Sequence, residues 1–120
     1  SSRRFEAILP VPLFRQRKRE RTYNQSALLA DRIGRALKVP VFHRGLVRVK
    51  PTATQTGLSA VQRRKNVKGV FQVRNESWLR GRRLLLVDDV MTTGATVNEA
   101  SRVLKQAGAA GVYVVTVARG

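Results

Sequence analysis

Residues 84–96 read LLLVDDVMTTGAT, and the fold turns on this stretch. Four apolar residues run directly into two adjacent carboxylates, Asp88 and Asp89, and then into a small-residue, hydroxyl-rich turn that opens a helix. A short apolar run of this kind suits a strand buried on both faces, as parallel strands are. Open α/β sheets bind ligands at the carboxyl ends of their strands, which is where the two carboxylates fall. Thr92, Thr93, Gly94, Ala95 and Thr96 then offer backbone N–H groups, hydroxyls and a helix N-terminus, the chemistry that holds a phosphate. The carboxylates suit ribose hydroxyls or a hydrated Mg²⁺, and the turn suits a 5′-phosphate one sugar away. The stretch therefore predicts a sugar-phosphate site.

Upstream and downstream, strands and helices alternate. Residues 5–11 (FEAILPV) are short, apolar and bounded by Pro10 and Pro12, which predicts a strand ending at a turn. A basic loop follows over 14–22. Asn24 has the character of a helix N-cap, and Leu29, Ile33, Ala36 and Leu37 recur at helical spacing, predicting a helix to about Lys38 that Pro40 stops. Residues 41–49 predict a second strand, in one piece or in two about Gly45. Residues 50–69 are polar, rich in Thr, Gln and basic side chains and without a clear period, which predicts a long loop. Residues 70–73 read as the returning arm of a hairpin, 75–81 as a turn with a partly buried Trp78, and 83–87 as the core strand. The helix that follows places Val97, Ala100, Val103, Leu104 and Ala107 on one face and ends at Gly108. Thr96 and Glu99 also have the spacing of a capping box. Residues 112–118 form a last strand apolar enough to be central or covered.

This order predicts an α/β fold in one domain over 1–120, with an open parallel sheet flanked by helices. Right-handed crossovers make 5–11 and 83–87 neighbours, so that 12–23 and 88–96 face each other across one pocket.

The formal net charge is +17, from 24 basic and 7 acidic side chains, and the excess lies upstream of the motif. Such a field draws in polyanions: pyrophosphate, nucleotides or nucleic acid. The chain has no cysteine, which excludes disulfides and Cys-based metal sites within it. His43 is the single histidine, in a strand-end segment that argues against a catalytic or metal role. No apolar stretch approaches the roughly 20 residues that span a membrane, and no charged-then-apolar leader opens the chain, so a cytoplasmic location is expected.

Residues 84–96 resemble, without a gap, the motif of the type I phosphoribosyltransferases, which bind 5-phosphoribosyl-1-pyrophosphate (PRPP). Residues 11–30 (VPLFRQRKRERTYNQSALLA), 54–71 (TQTGLSAVQRRKNVKGVF) and the closing VYVVTVAR are similar to the ComF family, competence-associated proteins with such a domain. The resemblance runs over nearly all of the chain. It implies a type I phosphoribosyltransferase-like fold with a flexible hood loop, and a domain that binds PRPP or a ribose 5-phosphate with Mg²⁺. It further implies ribosyl transfer with pyrophosphate release, linked to DNA uptake.

By that resemblance Asp88 and Asp89 hold the ribose, directly or through metal-bound water, and Thr92, Thr93, Gly94, Ala95 and Thr96 hold the 5′-phosphate. The loop after the first strand, with Arg15 and Arg17 followed by Lys18, Arg19 and Arg21, takes the pyrophosphate, since Arg grips phosphate oxygens bidentately. Residues 54–66 correspond to the hood, with Arg63 and Arg64 as its phosphate contacts beside Lys65. Tyr23, Asn24 and Gln25 match the family pattern, although a helix cap accounts for Asn24 as well. Purine-salvage members carry an aspartate where this chain has Thr92, and a threonine cannot act as a general acid there, which argues against a hypoxanthine or guanine transferase. ComF-like proteins commonly carry a cysteine-rich zinc-binding segment before this domain. Here the first strand follows almost at once on Ser1 and Ser2, so that segment is expected to be absent from this chain. Competence-machinery proteins join PRPP as expected partners. The alternative is a non-catalytic nucleotide-sensing or single-stranded-DNA-binding competence protein, whose basic surface with Phe14, Tyr23 or Trp78 binds the strand.

Overall fold

The computed structural model describes residues 5–12, 24–50, 59–91 and 94–119. Along the chain these form β1 (Ala7–Pro10), α1 (Gln25–Leu37), β2 (Leu46–Arg48), α2 (Ala60–Val67), β3 (Phe71–Val73), a 3₁₀ turn (Glu76–Trp78), β4 (Arg83–Met91), α3 (Ala95–Gln106) and β5 (Gly111–Arg119). β4 is the centre of a parallel sheet of order β1-β4-β5, and β2 and β3 form a separate antiparallel hairpin. β1 runs beside β4 from Ala7 opposite Leu84 to Pro10 opposite Val87, so the first strand and the motif strand are neighbours, as the crossover argument requires. Beyond β1, Val41 adds a single parallel bridge to Ile8. The segment 41–49 thus divides about Gly45, where an added Cβ would lie 2.5 Å from the Trp78 ring.

Strand alternation sends successive side chains to opposite faces. Leu84 and Leu86 of β4 pack with Ala7, Leu9 and Val11 against Val97, Ala100 and Leu104 of α3 and against Leu46 and Phe71 of the hairpin. Leu85 and Val87 pack with Ile8 against Ala30 of α1 and Val39. Helices therefore cover both faces of the sheet, which explains a motif strand apolar at every position. No helix among the described residues is long and apolar enough to cross a membrane.

Four sequence expectations change. Residues 60–67 of the expected loop are helix, opened by a capping box in which Ser59 accepts from the Gln62 N–H and Gln62 accepts from the Ser59 N–H. That helix buries Val67 while Val61 stays 52% exposed, so no apolar period marks it. α1 is most buried along Ser26, Ala30 and Gly34; the expected Leu29 and Ile33 pack half-buried against the core, whereas Ala36 and Leu37 are exposed. α3 starts two residues earlier than a capping box at Thr96 requires, with Gly94 at its N-cap, and Glu99 turns inward instead. β5 is an edge of the described sheet rather than a central strand, and its Val117 is 69% exposed.

Candidate functional site

β4 continues past the end of β1, so Asp88 and Asp89 are the residues at which the sheet opens. Both are half-buried. Asp88 lies opposite Thr116 of β5, whereas Asp89 faces the side where β1 has ended. Burial pushes the Asp88 carboxyl up to about 6 and the neighbouring Asp89 charge adds to the rise, whereas the Arg48 guanidinium and, after it, a hydrogen bond from the Ser26 hydroxyl oppose it. Two carboxylates on adjacent residues in a half-buried place form an electrostatic demand for a cation or a cluster of hydroxyl donors.

Beyond Met91, where β4 ends, the chain enters α3 through Gly94, whose φ of 82° is the left-handed conformation that glycine adopts without strain. As N-cap it brings no side-chain acceptor to the first turn of α3, and Ala95 is buried while Thr96 is half-buried. A helix start carries N–H groups without intrahelical partners and the positive end of the macrodipole. Carboxylates and helix start thus stand at one end of one strand, in the order the sequence predicts.

Two side chains that the sequence reading did not assign join the site. Ser26, 3% exposed on the first turn of α1, donates its hydroxyl to Asp89 Oδ1 at 3.1 Å and accepts the Asp89 N–H at 3.0 Å. Arg48, on β2, donates Nε–H to the Pro12 carbonyl at 3.0 Å and lies with its guanidinium carbon 5.1 Å from the Phe71 ring centroid. Burial lowers its pKa and the Asp88 carboxylate pulls it back up. Arg48 therefore carries a positive charge from the hairpin to the place where β1 ends and Asp88 begins.

Of the other expected site residues, Arg15, Arg17, Thr92 and Thr93 lie outside the described residues, as do Phe14, Lys18, Arg19, Arg21 and Tyr23. Arg63 and Arg64 belong to α2, and their side chains lie outside the description. Asn24 is the N-cap of α1, accepting the Ala27 N–H, and its amide also donates to the Val11 carbonyl at 3.3 Å. Trp78 is half-buried, stacked on Phe42 at 4.6 Å between centroids, with its indole N–H given to the Arg74 carbonyl. That placement makes it part of the core edge. His43 sits 2.7 Å from Asp31 on an exposed surface. Among the described residues no group of three or more His, Cys, Asp or Glu side chains could hold a metal ion.

The phosphoribosyl transferase domain model matches residues 24–120. Competence protein F of Haemophilus influenzae is 44% identical over 115 residues, which are 95% of this chain and 50% of that protein. The DNA utilization protein YhgH of Escherichia coli K12 is 40% identical over 109 residues, 91% of this chain and 47% of that one. Competence protein ComFC of Bacillus subtilis is 34% identical over 103 residues, 86% of this chain and 40% of its own. The chain spans about half the length of the curated relatives it matches. Among solved structures, glutamine PRPP amidotransferase from Bacillus subtilis, complexed with ADP and GMP, superimposes with a TM-score of 0.61 at 19% identity, over 98% of this chain and 23% of that one. Adenine phosphoribosyltransferase from Saccharomyces cerevisiae gives 0.62 at 14% identity, over 99% and 58%. At these identities the likeness is one of fold.

Proposed function

Because the chain belongs to the phosphoribosyl transferase domain family, and its relatives are competence and DNA utilization proteins, we propose that it binds PRPP or a ribose 5-phosphate with Mg²⁺ and transfers the ribosyl group with release of pyrophosphate, in the service of DNA uptake. The observation that carries this reading is the pairing of Asp88 and Asp89 with the glycine turn of α3 at the open end of β4. In it the carboxylates hold the ribose hydroxyls, Thr92 to Thr96 hold the 5′-phosphate, and Arg15 and Arg17 take the pyrophosphate, with Arg63 and Arg64 closing from above. Arg48 adds a cation between the carboxylates and the pyrophosphate loop. A cytoplasmic location belongs to the same proposal.

The donor set suits Mg²⁺ in particular. Two adjacent carboxylates, one of them holding its proton up to about pH 6, gain from a divalent cation. A pair without a third acidic or imidazole ligand among the described residues fits an ion that keeps several waters and takes oxygens from its phosphate ligand. When bound, Mg²⁺ would neutralise charge on the departing pyrophosphate. The chain's own contribution is electrostatic: carboxylates favour positive charge at the sugar, and arginines accept the charge that leaves.

Calorimetric titration with PRPP and Mg²⁺, followed by a pyrophosphate-release assay across candidate acceptor bases, tests the reading. Asp88→Asn with Asp89→Asn should abolish binding while the fold persists. Unchanged affinity in the folded double variant would sink the ribose assignment. A second reading, a non-catalytic nucleotide sensor or single-stranded-DNA binder, is favoured by the charge of +17 concentrated outside the motif.

A further inference from the structure

In a parallel ladder, a residue donates its N–H to one residue of the neighbouring strand and accepts at its carbonyl from the residue two further on. Val11 makes the first of these bonds, donating to the Val87 carbonyl at 2.9 Å. Continuing the pattern would bring the Asp89 N–H to the Val11 carbonyl and zip β1 to β4 across the carboxylates. The two groups go elsewhere. The Val11 carbonyl accepts from the Asn24 amide at 3.3 Å, and the Asp89 N–H is given to the Ser26 hydroxyl at 3.0 Å. The start of α1 therefore stands between the strand ends, and two of its side chains replace one ladder bond.

Ser26 does more than fill the gap. Its hydroxyl proton goes back to Oδ1 of the same aspartate, at 3.1 Å, so backbone and carboxylate of Asp89 are gripped by one side chain. At 3% exposure, little solvent reaches Ser26 to compete for those bonds. An alanine there would strip Asp89 of both bonds at once and leave its N–H able to reach the Val11 carbonyl.

We propose that Ser26 is a positioning residue: it holds the Asp89 carboxylate in its ligand-accepting orientation and, with Asn24, keeps the ends of β1 and β4 parted so that the crevice is open before ligand arrives. The inference rests on the ribose and Mg²⁺ reading of Asp89. It makes Asp89 a preset acceptor, its backbone N–H and its carboxylate both held by one buried hydroxyl.

The test compares Ser26→Ala and Ser26→Thr, each in the wild-type and Asp89→Asn backgrounds, by calorimetry with PRPP and Mg²⁺ and by thermal unfolding. Ser26→Ala should weaken binding by about tenfold or more, the usual effect of removing a group that orients a ligand-binding side chain. Ser26→Thr, which retains the hydroxyl, should restore most of the affinity. In the Asp89→Asn background Ser26→Ala should cost less than in the wild type, because the two bonds to Asp89 carry most of its effect. Where alanine prevents folding, Ser26→Cys, close in size and a weak hydrogen-bonding partner, replaces it. A ligand-free measurement separates this inference from the functional reading: the Hα–Hβ scalar couplings of Asp89 should report one rotamer in the wild type and averaging in Ser26→Ala. Absence of PRPP binding by the wild type would defeat the functional reading, yet the couplings would still decide the positioning. Wild-type affinity in folded Ser26→Ala, additive losses in the double variant, or an unchanged Asp89 rotamer would overturn it.

Discussion

Asp88 is the titrating group at the centre of the candidate site, and its environment dictates a pH dependence. Its carboxyl is pushed up to about 6 by burial, then by Asp89, against the pull of Arg48. The folded chain therefore keeps a proton that the unfolded chain releases near about pH 4. Between these values the folded state binds more protons, so this group makes stability fall as pH rises through the window. Thermal unfolding without divalent cation should show that component, and Asp88→Asn should remove it; a slope unchanged in the variant would refute the assignment. Mg²⁺ competes with the proton, so its affinity should rise with pH and level off above about 7. Arg48→Met keeps a stem over Phe71 but removes the opposing charge, and should move the midpoint of the Mg²⁺ profile to higher pH. A midpoint that stays put would show that Arg48 does not act on Asp88. The carboxylates themselves are readable from the sequence because strand, acids and turn are contiguous. Ser26 and Arg48 are not, because their meaning arises from contacts across 63 and 36 positions of chain that no local pattern encodes.

Helix α2 shows what a periodic reading misses at the next level up. Its face has little apolar content to reveal, and Val67 alone is firmly buried among the residues whose side chains are described. The capping box Ser59-Ala60-Val61-Gln62 is the available signal, written in the sequence at helix-start spacing. The other capping-box candidate, at Thr96, is spurious because its acid has a different task. Glu99 accepts the Gly69 N–H at 3.1 Å and is bound twice by Arg102, at 2.7 and 2.9 Å. It thereby ties the junction of α2 and β3 to α3. The Arg102 hydrogen bonds, followed by the Gly69 N–H, hold its carboxyl below the usual range despite burial. A depressed folded pKa means that this stabilisation is present above the unfolded value and lost as pH falls through the folded one. Glu99→Ala should destabilise the fold by about 1–3 kcal/mol, since it leaves the Gly69 N–H without its charged acceptor. Hydrogen exchange should quicken at residues 67–71 before it quickens in β1 or β4. Uniform acceleration across the sheet would mean that the carboxylate supports the core generally and is no local tie.

The alternation of strands and helices suffices to give the parallel sheet, the β1–β4 pairing and the helices on both faces, because each follows from burial of apolar faces and from crossover geometry. The edge position of β5 does not follow, since composition cannot tell a strand covered by its own domain from one that leaves Tyr113, Val114 and Val117 open. Net charge is the other global property, and it separates enzyme from nucleic-acid binder. If the +17 surface binds single-stranded DNA, affinity should fall steeply with salt, with a logarithmic slope of about −0.7 per phosphate neutralised and little sequence preference. Replacing Arg17, Lys18 and Arg19 by Ala should make that slope shallower. Because these residues belong to the proposed pyrophosphate loop, PRPP should compete with DNA where one surface serves both. The deciding comparison is Asp88→Asn with Asp89→Asn, which removes negative charge from the crevice. On the binding reading this variant keeps or slightly gains DNA affinity while losing PRPP, whereas a transferase without a DNA role loses PRPP and shows no DNA binding to gain. Pyrophosphate release by the wild type, together with no measurable single-stranded DNA binding at low salt, would eliminate the binding reading and leave the transferase.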